Sequence, residues 1–246
     1  MLVEASGHVP YAARAAPGRD GFAKVVLVAT VAGPLAGDCT LVEVDVGEGA
    51  ALEVVGNAAT LAFPAASPAR LDVRLRVDPG GRLIWRPEPL ILARSCNLEA
   101  TLLLELGPGA AALTRELVIL GRHGEEPGRY GAELRCELEG RPLLHEAIEI
   151  AGTHGSPAVL GGARAFGSVA LLGLRLEASP GPAELELDGP GRVARFLAAD
   201  AAALMAATQP FERVATVALS GFHDVAAHAG CEDRVEGSTS RPGGSI

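Results

Sequence analysis

Residues 71–81, LDVRLRVDPGG, decide the fold. Leu71, Val73, Leu75 and Val77 fall on every second position, with Asp72, Arg74 and Arg76 between them, which is the period of a strand with one buried and one wet face. The run closes on Asp78-Pro79-Gly80-Gly81, where glycine supplies positive φ and proline presets its own φ for a turn. The theme repeats outward from Leu41 to Leu120, with further turns at Gly47-Glu48-Gly49 and Gly107-Pro108-Gly109, about thirty residues apart. The same alternation returns in Leu102, Leu104 and Leu106, and in Leu185 and Leu187 ahead of Gly189-Pro190-Gly191. This predicts a mainly β chain of stacked antiparallel hairpins, coiled or sandwich-like, because single hairpins must stack to bury their apolar faces.

Two stretches break the pattern. From Asp200 to Thr208 the residues are Ala, Leu and Met, and Asp200 can cap a first turn, so a short helix is predicted there. Residues 152–174 mix Gly and Ala and read either as helical or as a loop running into a strand at 169–176. One or two short helices follow. Residues 1–236 read as a single β domain, and the tail 237–246, GSTSRPGGSI, has too little apolar mass to order itself.

Composition narrows function. The 21 Lys and Arg against 30 Asp and Glu give a formal charge of −9, which opposes phosphate backbones and anionic membrane surfaces. Cys39, Cys96, Cys136 and Cys231 form no C-x-x-C pair, and no apolar stretch approaches a membrane span or a signal peptide, so a reducing, cytoplasmic setting is expected. The six histidines show no zinc spacing; the nearest pair is His223 with His228 beside Asp224. G-x-S-x-G, P-loop and strand-linked G-x-G-x-x-G motifs are lacking, so neither a nucleophile elbow nor a phosphate cradle is indicated.

Three clusters are polar or rigid where a strand should be apolar. GPLAGD (Gly33–Asp38) reads as a tight turn with Asp38 bonding backbone amides. WRPEP (Trp85–Pro89) reads as an edge strand ending, since Pro87 and Pro89 cannot donate to a ladder. GRHGEEPGRY (Gly121–Tyr130) reads as a charged hairpin loop between strands at 116–120 and 132–138.

In this order and at these separations the clusters resemble the UreD (UreH) urease accessory family. The resemblance runs through Gly33, Gly37 and Asp38, then Val46-Gly47-Glu48-Gly49-Ala50, Asn57-Ala58-Ala59-Thr60, the element Trp85, Pro87, Glu88 and Pro89, and lastly Gly121-Arg122 with Glu116 upstream. Glu125 and Glu126 follow that Gly-Arg at altered spacing, which leaves open which of them stands for the family's glutamate.

The resemblance implies no catalysis. It implies a scaffold and conduit, acting with UreF and the GTPase UreG on apo-urease, with nickel in transit and no resident cofactor. Transit suits scattered carboxylates and an occasional imidazole better than a tight cage. Asp38, Glu88, Glu116, Glu125 and His123 are the candidate contacts, being in or beside the clusters. Two other readings stand beside it: a β-rich interaction module without a metal role, and a cupin-like metal enzyme, which would need several converging histidines where only His145 lies well inside a strand.

Overall fold

The computed structural model describes residues 10–151, 160–177, 179 and 181–229, with side chains as far as residue 221. The described chain is mainly β. Its strands are β1 (Tyr11–Ala16), β2 (Ala23–Ala29), β3 (Cys39–Val46), β4 (Ala51–Gly56), β5 (Thr60–Ala62), β6 (Ala69–Val77), β7 (Arg82–Arg86) and β8 (Leu90–Leu92). They continue with β9 (Asn97–Leu106), β10 (Ala111–Leu120), β11 (Arg129–Leu138), β12 (Arg141–Ile150), β13 (Ala165–Leu172), β14 (Glu184–Glu186) and β15 (Gly191–Ala198), followed by one helix, α1 (Ala201–Ala229). The larger sheet is ordered β1-β2-β4-β7-β10-β13-β15-β14, with β8 also beside β10 and β5 beside β8, and the smaller sheet is ordered β12-β11-β9-β6-β3.

The alternating strands and the coiled, stacked body follow the sequence reading, but of the predicted glycine turns only Gly189-Pro190-Gly191 closes a hairpin, between β14 and β15. The strands on either side of Gly47–Gly49, of Asp78–Gly81 and of Gly107–Gly109 lie in opposite sheets: β3 and β4, β6 and β7, β9 and β10. Each pairs in parallel with its counterpart one coil onward, β3 with β6 and β6 with β9, β4 with β7 and β7 with β10. A corner that carries the chain from one sheet to the other needs the same turn residues and positive φ as a hairpin, so the two are alike in sequence. The corners stack, with Gly49 N–H donating to Pro79 O (3.0 Å) and Gly80 N–H to Pro108 O (2.9 Å). The charged loop 121–128 likewise crosses from the larger sheet (β10) to the smaller (β11). True antiparallel hairpins also occur at β1–β2 and at β11–β12, the latter turning on Glu139 and Gly140, both at positive φ.

Helix α1 begins where the sequence places it, with Asp200 Oδ1 accepting from Ala203 N–H (2.8 Å), but it runs on through Pro210 and covers 29 residues. Pro210 is tolerated because it sits on the exposed side, where the carbonyl it leaves without a partner can reach water. What extends the helix is packing: Phe211, Ala215 and Leu219 seat on Ile84, Leu113, Val169 and Leu171 of the larger sheet, and Leu204 on Leu117 and Ala165. Asp200→Ala removes the cap and lowers stability by about 1 kcal/mol, readable as a drop in the thermal midpoint. The undecided stretch 152–174 places strand β13 at Ala165–Leu172, earlier than expected; residues 152–159, the tail 237–246 and the side chains of His223 and His228 lie outside the described residues.

Between the sheets the apolar side chains form two clusters. One gathers Leu75, Leu83, Trp85, Leu104 and Leu172; the other gathers Leu92, Leu98, Val118, Tyr130, Ile150 and Phe166.

Candidate functional site

A polar seam divides those two clusters. On β10, Ala112 belongs to the first cluster and Val118 to the second, and Glu116 stands between them on the same inner face. On β13, Ser168 sits between Ala170 and Phe166; on β15, Arg195 comes after Val193; on β12, Glu146 lies between Leu144 and Ile148. Register aligns them: Glu116 is the direct partner of Ser168, and Ser168 that of Arg195. Direct antiparallel partners share a face, so acid, hydroxyl and guanidinium form one row across three strands. Arg195 meets Glu146 from the opposite sheet in an ion pair that closes the row.

Tyr130 OH, from β11, donates to Glu116 Oε1 at 2.5 Å. Burial raises the Glu116 carboxyl above the usual carboxylate range, the Tyr130 bond only partly opposing it, and burial beside Glu116 raises the Tyr130 phenol well above its own. Glu116 as a whole residue is half-buried. The buried Ser168 Oγ has no hydrogen-bond partner, so the row holds an unused polar group beside Glu116.

The WRPEP element ends the seam on the other side, and it is not at a sheet edge: β7 pairs with β4 on one side and β10 on the other, and the prolines fall in the break between β7 and β8. Trp85 pairs with Thr114 and Leu90 with Val118, so five steps along 85–90 oppose four along β10, and the extra residue is the break at Pro87–Pro89. Across the next coil, Val55 pairs with Arg86 and Thr60 with Leu90, which adds one more residue at 57–59. Gly56 permits the close approach, since a Cβ there would stand 3.0 Å from Glu88 N. Arg115, on the outer face of β10, fixes the break by donating to Pro87 O (2.7 Å) and facing Glu88 (3.9 Å). Arg115 also pairs with Glu212 of α1 (3.4 Å), which Arg86 approaches at 3.9 Å; Arg86 meets Glu53, and Glu53 pairs with Lys24 (3.1 Å). Desolvation lowers the Arg115 guanidinium, with Glu212 opposing it.

The structure therefore sorts the five candidate contacts. Glu116 lies in the interior seam. Glu88 lies at the same break but on the side facing Arg115. Glu125 sits in the loop after β10, clamped by Arg122 Nε (2.8 Å) and Nη2 (2.6 Å), which hold its carboxyl at about 2. His123 is exposed in that loop. Asp38 closes the turn ahead of β3, accepting from Leu35 N–H at 2.8 Å, with Gly37 at positive φ. The Gly121-Arg122 element pairs with Glu125 rather than Glu126, and Gly121 is required there: its φ is +83°, and a Cβ would stand 2.4 Å from Glu125 O. Among the described residues no three His, Cys, Asp or Glu gather into a metal cage.

Tyr130, Ser168, Arg195 and Glu146 escaped the sequence reading. One signal was available for Glu146: in the run His145–Ile150 it occupies the alternate position shared with Ile148 and Ile150, both of the inner core.

Comparison with known proteins supplies what geometry does not. The family model described as UreD urease accessory protein matches residues 2–229. The protein "Urease accessory protein UreD" of Streptomyces avermitilis is 40% identical over 185 residues, covering 73% of each chain. That of Streptomyces coelicolor is 37% identical over 215 residues, covering 82% of this chain and 85% of its own. That of a Parafrankia strain is 34% identical over 236 residues, covering 82% and 79%.

Proposed function

This chain belongs to the UreD urease accessory protein family, and from that premise we propose that it serves urease maturation as a scaffold and a conduit through which nickel reaches apo-urease. It does so in the cytoplasm, within an assembly that includes UreF and the GTPase UreG, and it carries out no chemical step of its own. Nickel is cargo, not a resident cofactor.

The observation that carries the conduit reading is Glu116, set between the sheets in one row with the unpartnered Ser168 hydroxyl and held by Tyr130. A divalent cation crossing a low-dielectric interior needs charge or dipole along its way, because an unsolvated ion there costs many kcal/mol. A row of acid and hydroxyl offers that without closing a cage, and a cage would retain the ion. Transit at Glu116 requires the carboxylate form, which burial disfavours, so a cation and a proton compete for the same oxygens.

The test is urease activity in cells carrying the urease structural subunits, UreF and UreG in nickel-supplemented medium, with and without this chain. Activity is expected only when the chain is present. Equal activity in both, with the chain folded, contradicts the assignment.

A second reading, an interaction module without a metal role, is favoured by the outward face of α1. Val214 and Val217 are exposed there, Val217 at 73%, and such apolar side chains suit a protein partner. Under it, changes at Glu116 leave maturation intact.

A further inference from the structure

We propose that the Arg195–Glu146 ion pair is the side gate of the seam, at which a divalent cation enters or leaves by displacing the guanidinium from the carboxylate. The inference rests on the conduit reading and adds where that conduit meets solvent and what guards it.

The geometry follows from the register. The row starts at Glu116 near the middle of the larger sheet, passes Ser168, and reaches Arg195 on β15, beside the edge strand β14. Strands lie about 4.8 Å apart, so Arg195 stands roughly 10 Å from Glu116 along the row. Glu146 reaches the same point from β12, the edge strand of the smaller sheet, so the pair bridges the two sheets at their open side. The two partners differ in exposure, Arg195 at 56% and Glu146 at 17%. The guanidinium faces solvent and the carboxylate faces the interior.

That asymmetry makes Arg195 the moving part. While paired, it neutralises Glu146, so the mouth offers a free cation no net negative charge. Once it swings into water, Glu146 is left as a carboxylate at the threshold, with Ser168 Oγ and Glu116 next inward. An exposed arginine pair is weak enough to exchange, so a divalent cation can compete for the same oxygens. The exchange conserves charge: the incoming cation takes the carboxylate, and the arginine takes solvent and a counter-ion.

Nickel binding to the full chain, measured calorimetrically with nickel alone, tests the gate without urease. Arg195→Gln is expected to tighten apparent affinity about fivefold, the scale of one exposed ion pair, while Arg195→Lys stays near the parent. Adding Glu146→Gln to Arg195→Gln is expected to abolish the gain. Unchanged affinity in Arg195→Gln, or a gain that survives loss of Glu146, overturns the proposal. On the unsubstituted chain, nickel is expected to raise the reactivity of Arg195 towards an arginine-specific dicarbonyl, located by peptide mass; unaltered reactivity at saturating nickel overturns it as well. Neither measurement involves Glu116 or urease, so the gate can fail while the conduit stands, and a failed conduit shows separately in urease maturation.

Discussion

Glu212→Ala lowers the free energy of unfolding by about 3 kcal/mol, a cost on the scale of truncating a large core side chain. Glu212 and Arg115 are 8% and 10% exposed, so neither can turn to bulk water. Their mutual value as a pair is modest, because desolvation offsets the attraction; Glu212 Oε1 and Arg115 Nε already lack partners. The large cost comes from removing one member. Arg115 then keeps Pro87 O and Glu88 but loses the one nearly buried counter-charge facing it from α1. Glu212→Gln, which keeps an acceptor and the volume, is expected to lose less. A urea titration reads both, and a Glu212→Ala midpoint equal to the parent's would mean that water or a rotamer change compensates Arg115.

Glu116→Gln is expected to do the reverse, sparing the fold and removing the function. The Glu116 carboxyl is raised in the folded chain, so the folded state holds its proton more tightly than the unfolded state does. The stability this proton contributes is fully present below the ordinary carboxylate range and is lost as pH rises from there through the raised folded value. At neutral pH the parent bears that loss, whereas glutamine, a neutral isostere able to accept from Tyr130 OH, does not. The variant therefore unfolds at the same or higher denaturant concentration near neutrality, and its advantage vanishes in acid. Urease maturation should nonetheless fall by about tenfold or more, as expected for losing an ion-contacting oxygen.

Much of the fold was legible, and the reason is periodicity. Leu71 to Val77 and Leu102 to Leu106 state their buried faces outright, and the glycine turns fall at true chain reversals. What local sequence did not carry was the partner of each strand. Gly47–Gly49 and Asp78–Gly81 contain the residues of a hairpin turn, yet they span the gap between sheets, and only the stacking of one corner on the next separates the two cases. Helix α1 was legible at Asp200, where the cap is local. Its continuation past Thr208 depends on Phe211, Ala215 and Leu219 finding the larger sheet, which is tertiary.

The site was legible where chemistry is local and hidden where it is assembled. Asp38 and Glu125 make contacts within a few residues of themselves, and the clusters around them are visible as motifs. The seam draws Glu116, Tyr130, Glu146, Ser168 and Arg195 from five strands of two sheets, so no spacing along the chain encodes it. Each is an ordinary polar residue in a strand until the register sets them in one row.

The central claim is that nickel crosses the interior at Glu116, and the direct measurement is the nickel content of urease matured in the presence of Glu116→Gln, by elemental mass spectrometry, with assembly of the accessory complex checked on the same samples. The account predicts an intact complex and urease poor in nickel. Urease with its full nickel content would contradict it and leave the chain a scaffold whose interior carries nothing.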